Sequence, residues 1–196
     1  MHRTAVQTRE HVLEVAHELF YWNGIRATGV DRVAAAAGVA PTTLYRVFES
    51  KDDLVAAYVD RADRLSRERL MAAADGAGAD PVDRVLAVFD ELVVQREPDR
   101  CRGCALVLTL AEYPDPALPA HERAVAGKQW IRDYLAHLAG GIPGLDAAAA
   151  ADQLVLIIEG ANASAAALGV DGPIQQARAM AQLVLSAAVP AADAAR

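Results

Sequence analysis

The sequence predicts an all-α protein of about nine helices, and three observations carry that expectation. Apolar residues make up 54% of the 196 residues but aromatics only 5%, and alanine is abundant, a balance that suits closely packed helices better than sheets. Apolar positions recur at helical spacing along most of the chain. The segments with that spacing are divided by short breaks rich in Gly, Pro, Asp and Asn.

The first segment, Thr8 to Asn23, puts Val12, Val15, Ala16, Leu19 and Phe20 at helical spacing, and Asn23-Gly24 ends it because both residues tolerate a left-handed backbone. Thr28-Gly-Val-Asp31 reads as a capping signature in which the Thr28 hydroxyl accepts an orphan backbone N–H. A short helix to Ala37 follows, then Gly38, then a second short helix from about Ala40 to Phe48. Ser50 to Asp53 caps a fourth helix through Leu54, Tyr58, Leu65 and Leu70 to about Ala74, and the turn-rich run from Asp75 to Pro81 stops it. Further helices are expected at about 81–97, 102–113, 117–139, 146–168 and 173–188. Their boundaries are Pro98-Asp99, Pro114 to Pro116, Gly140 to Gly144 and Gly169 to Pro173.

Several classes are excluded or made remote. No run approaches the roughly 18–20 apolar residues of a membrane span, and the opening residues lack the apolar core and cleavage site of a secretory signal. A soluble, cytoplasmic protein is expected. Two cysteines are too few for a secreted disulfide scaffold. No Gly-rich phosphate loop, His-Glu-x-x-His helix or Gly-x-Ser-x-Gly elbow occurs. The net charge of −7 is uneven. Residues 1–51 hold six Lys/Arg and five Asp/Glu, whereas the remaining residues hold thirteen and twenty-one. An acidic body on a mildly basic head suggests that only the head meets phosphate.

The break at Gly38 is the informative one. Two short helices joined by a tight glycine turn form a helix-turn-helix, with Ala34 small enough for the crossing and Gly38 able to take positive φ. Val33, Ala37, Val39, Leu44 and Val47 supply the buried side against Phe20 and Phe48. Pro41, Thr42, Thr43, Tyr45 and Arg46 are left at the leading end of the third helix, the end that enters a major groove. Threonines can bond base edges or phosphate, Tyr45 can reach phosphate, and Arg46 can fork onto guanine. Lys51 and Thr28 stand at the starts of flanking helices, where an anion is favoured. Helical pairs with a central glycine also occur in ordinary α cores, in which Tyr45 would be a packed aromatic.

Over about residues 8–55 the pattern resembles the DNA-binding domain of TetR-family transcriptional regulators. The residues are Leu19-Phe20 and Gly24 ending the first helix, Thr28-x-Val-x-x-Val-Ala-x-x-Ala-Gly-Val39 through the second, and Thr43-Leu-Tyr-x-x-Phe-x-Ser-Lys-x-x-Leu54 into the fourth. The resemblance implies a homodimer with a three-helix DNA-binding domain, here residues 1–52, and a helical ligand-binding and dimerisation domain, here residues 53–196. It implies a repressor, not an enzyme, released from a two-fold symmetric double-stranded DNA operator by a small-molecule effector, with no cofactor and no metal. Ala40 stands where the family often has Ser or Thr, a weak N-cap costing about 0.5–2 kcal/mol that Pro41 partly offsets.

The C-terminal helices are dense in small residues, including Gly160, Ala161, Ala163, Ala165, Ala177 and Ala181, interleaved with large aliphatics. Two such helices per subunit suit a four-helix dimer interface, although the same surface could be consumed within one subunit. Tyr113, Trp130, Tyr134, Glu159 and Asn162 are candidates for lining a ligand cavity, with His121 and Glu112 as weaker choices; each could instead be ordinary structure. Cys101-Arg-Gly-Cys104 supports a rival reading, a helical redox enzyme with neighbouring arginines lowering a thiol pKa. Half a zinc site lacks its second pair, and a buried, inert Cys104 is the plainer account.

Overall fold

The computed structural model describes residues 4–94 and 101–187. Nine α-helices and no strand occur among them: α1 Ala5–Asn23, α2 Val30–Ala36, α3 Pro41–Val47, α4 Lys51–Gly76, α5 Pro81–Val94, α6 Ala105–Glu112, α7 Pro119–Ala139, α8 Ala147–Leu168 and α9 Ala177–Ser186. A 3-10 turn, Pro173–Gln176, precedes α9 where a continuous helix was expected. The expected extension of α5 to 97, the Pro98-Asp99 break and the expected end at 188 lie outside the described residues.

Two compact units form. One comprises Met1–Leu65 and Ala105–Gly127, the other Ser66–Cys104 and Lys128–Arg196, so α4 and α7 contribute to both. In the first unit α1, α2 and α3 pack on one another around Val12, Leu13, Ala16, Phe20, Val33, Leu44 and Phe48, all buried. Burying a large aliphatic or aromatic side chain is worth about 1.5–3 kcal/mol, so this small cluster suffices to orient two seven-residue helices too short to persist alone. Phe20 meets the buried Tyr58 edge to face, 5.4 Å between centroids, and so joins α1 to α4. Arg61 adds ion pairs from α4 to Glu10 and Glu14 of α1. Gly127 of α7 lies so near its neighbours that an added Cβ would stand 2.6 Å from Leu106 Cδ1 and 2.9 Å from Asp63 Oδ1.

The helix ends follow local chemistry. Thr4 and Gln7 form a capping box on α1, which therefore starts before the expected Thr8. Ser50 Oγ accepts from Asp53 N–H while the Asp53 carboxylate accepts from Glu49 N–H, capping α4. Asp146 Oδ1 accepts from two N–H groups at the start of α8. The second unit buries a larger core, with Leu86, Phe89, Leu135, Leu154, Ile158 and Ile174 among its members, and α9 packs on α5 and α8. No helix among the described residues is long and apolar enough to cross a membrane.

Candidate nucleic-acid interface

The turn between α2 and α3 is built by Gly38, whose φ of +64° lies in the region that favours glycine. Its N–H donates to Ala35 O and the Val39 N–H to Ala34 O, which closes the turn. His11 of α1 reaches the same corner, its Nε2 3.0 Å from Ala37 O. Ala40 is the N-cap of α3 without a side-chain cap bond, and Pro41 follows at the first turn. Leu44 and Phe48 are fully buried and anchor the helix, and the Arg9 guanidinium lies 4.8 Å from the Phe48 ring centroid.

With that side anchored, Pro41, Thr42, Tyr45 and Arg46 are exposed, Tyr45 by 50%, and Thr43 is half-buried. Tyr45 is therefore not a packed core aromatic. The remaining expected residues are placed differently. Lys51 is half-buried, with Nζ 3.4 Å from Arg26 O. Thr28 is fully buried and its hydroxyl donates to Gly24 O at 2.8 Å. The capping role expected of that hydroxyl is therefore corrected: Gly29 is the N-cap of α2 and no side chain caps it.

Of the five residues expected at a ligand cavity, Trp130, Tyr134, Glu159 and Asn162 belong to the second unit and Tyr113 to the first. Trp130 and Tyr134 stack at 4.9 Å and 11°, with the Arg67 guanidinium 4.7 Å from the Trp130 centroid. Glu159 is ion-paired with Lys128, both half-buried, and Asn162 is buried on α8. Tyr113 belongs to the first unit, where it is buried with Arg26 5.9 Å from its ring centroid. Burial raises the Tyr113 phenol above its ordinary range, helped by Asp52 and Glu112 and opposed by Arg26. Burial likewise raises Tyr134, with Asp75 adding to the shift and Arg84 opposing it. An open groove of about 600 Å³ in the second unit is lined by Arg84, His137 and Leu138 among others, and by none of the five. Glu112 and His121, the weaker choices, are engaged within the first unit, Glu112 with Ile25 and Arg26 and His121 with Tyr113 O. Arg26 was not singled out in the sequence, since nothing local distinguishes it from a solvated arginine. Cys101 and Cys104 are half-buried without a disulfide, Cys101 against the second unit's core.

Residues 12–58 match the family model described as bacterial regulatory proteins, tetR family. The whole chain is similar to a TetR-family transcriptional regulator from Streptomyces coelicolor: 36% identity, TM-score 0.87, over 92% of this chain and 95% of that one. The chain belongs to the TetR family. A TetR transcriptional regulator from Chloroflexus aurantiacus is similar at 26% identity and TM-score 0.76, over 93% of this chain and 94% of that one. Among curated relatives, an uncharacterized HTH-type transcriptional regulator of Mycobacterium tuberculosis is 37% identical over 78 residues, 39% of this chain. That match spans only 38% of the relative, so its likeness to this TetR-family chain is confined to part of each protein. None of these relatives supports the redox-enzyme reading.

Proposed function

We propose that this chain is a DNA-binding transcriptional repressor, acting in the cytoplasm as a homodimer and released from its operator by a small molecule. The observation that carries the reading is the outward edge of α3: Pro41, Thr42, Tyr45 and Arg46 are exposed while Leu44 and Phe48 hold the helix from behind. Arg46 forks onto guanine or clamps phosphate, the threonines bond base edges, and Tyr45 reaches the backbone. Two such edges in a two-fold dimer match half-sites about 34 Å apart. The effector acts by favouring the DNA-incompetent form, and a few kcal/mol of differential affinity empties most operators. Trp130, Tyr134, Glu159 and Asn162 are the residues proposed to meet it.

Selection of bound duplexes from a random pool is the decisive experiment, and a two-fold symmetric site is the expected product. Affinity for that site should fall with added salt, as phosphate contacts release counterions. A Tyr45→Phe, Arg46→Ala, Lys51→Ala variant should bind it much more weakly. Retention of wild-type affinity by that variant would remove the assignment.

A further inference from the structure

Glu112 is the last residue of α6, and its side chain reaches the turn that joins α1 to α2. Oε1 accepts from the Ile25 N–H at 3.0 Å and Oε2 from the Arg26 N–H at 2.7 Å. A bond also runs the other way: Arg26 Nε donates to the Glu112 backbone carbonyl at 2.6 Å. The partners are 86 and 87 residues apart in sequence yet lie in one compact unit. Ile25 is 1% exposed, so water is a poor substitute for the carboxylate at its N–H. Consecutive backbone N–H groups in a turn make an anion seat, and here the chain supplies the anion itself. The turn is shaped for it: Gly24 has φ +91°, and an added Cβ would stand 3.3 Å from Glu112 Oε1.

We propose that Glu112 is a positioning residue for DNA binding: without touching DNA, its carboxylate fixes the α1–α2 turn from which α2 and α3 are hung. The inference rests on the reading of α3 as the DNA-docking edge. The turn runs from Gly24 to Gly29 and leads directly into α2, and α2 and α3 are seven residues each. Elements so short take their direction from what they pack on and from the turn that delivers them. Each carboxylate oxygen accepts from a backbone donor of the turn, so the side chain is held against the turn in this conformation. A turn released from its seat samples more conformations, and binding must select the competent one, which weakens apparent affinity by the fraction lost.

The test uses full-length wild type, Glu112→Ala and Glu112→Gln on the duplex that wild type selects. Glu112→Ala should bind roughly tenfold or more weakly, about the loss of one charge-assisted bond's differential. Glu112→Gln keeps one carbonyl oxygen for one N–H and should recover part of the loss. The slope of log affinity against log salt should not change, because the same phosphates are met in the complex. Amide exchange at Arg26 should accelerate in Glu112→Ala while Leu44 stays protected. Wild-type affinity in Glu112→Ala would overturn the inference and leave the α3 reading intact. Loss of Leu44 protection alongside lost affinity would also overturn it, since Glu112 would then merely hold the fold. Failure of wild type to select any duplex sinks the α3 reading, and this inference with it.

Discussion

Arg46 and Tyr113 are both single polar residues on or near the DNA-binding head, yet they face opposite environments and so answer to different measurements. Arg46 is exposed, and replacing it with Ala should cost about 1–3 kcal/mol of binding if it forks onto guanine. Measured across a set of duplexes, that loss should be concentrated at one base position; an equal loss on every duplex assigns Arg46 to phosphate instead. Tyr113 is buried, and its phenol titrates above the ordinary range because burial disfavours the phenolate. A group whose folded pKa is raised contributes stability that is whole below the unfolded value, about pH 10 for a phenol, and lost as pH rises through the folded value. Thermal midpoints should therefore fall above about pH 10, and Tyr113→Phe should fall less steeply over that window. An identical decline in the variant would show that the Tyr113 phenol holds its proton equally well folded and unfolded, and that burial does not shift it.

At the scale of elements, the α2–α3 turn is the part whose geometry is most demanding. No non-glycine residue adopts positive φ among the described residues, and Gly38 takes +64° with nothing within 4 Å of an added Cβ. Gly38→Ala should thus be destabilising through backbone strain alone, by about 1–2 kcal/mol, read as a lower urea midpoint with an unchanged slope. Gly38→Asn should cost less, since Asn tolerates the left-handed region. This turn was legible in the sequence because local chemistry determines it, as were Gly24 at the end of α1 and Ser50-Asp53 at the start of α4. The capping box at Thr4 and Gln7 was equally local, but no apolar periodicity extends far enough to draw attention to it. Thr28 misled because a hydroxyl ahead of a helix usually caps it, whereas burial and the Gly24 carbonyl competed successfully for this one. The Glu112 contact was out of reach. A carboxylate at the end of one short helix carries no mark that its donors lie 86 and 87 residues earlier. The grouping of α6 with the head is long-range packing of the same kind.

At the scale of the whole molecule, the exposed apolar surface is the feature that one chain leaves unexplained. Leu156 and Leu168 of α8 are 72% and 66% exposed, and Met180 and Leu183 of α9 are 52% and 72% exposed. On α8, Leu156, Gly160, Ala163 and Ala167 are all exposed and follow one another at steps of four, three and four, which keeps them on one helical face. Monomeric proteins rarely leave contiguous apolar patches of this kind in water, and small residues along a helix let a second helix approach closely. The proposed dimer uses this face, and Gly160 offers a test that separates dimerisation from folding. An added Cβ at Gly160 meets nothing within 4 Å inside its own chain. Gly160→Leu should therefore leave the monomer fold undisturbed and improve helix propensity by up to about 1 kcal/mol. The same side chain would stand between two copies meeting on that face. Sedimentation should show a dimer for wild type and a large shift towards monomer for Gly160→Leu, with unchanged helical signal. Affinity for a two-half-site operator should fall with it, towards that of a single half-site. A variant that sediments and binds as wild type does would show that the α8 face does not join two copies.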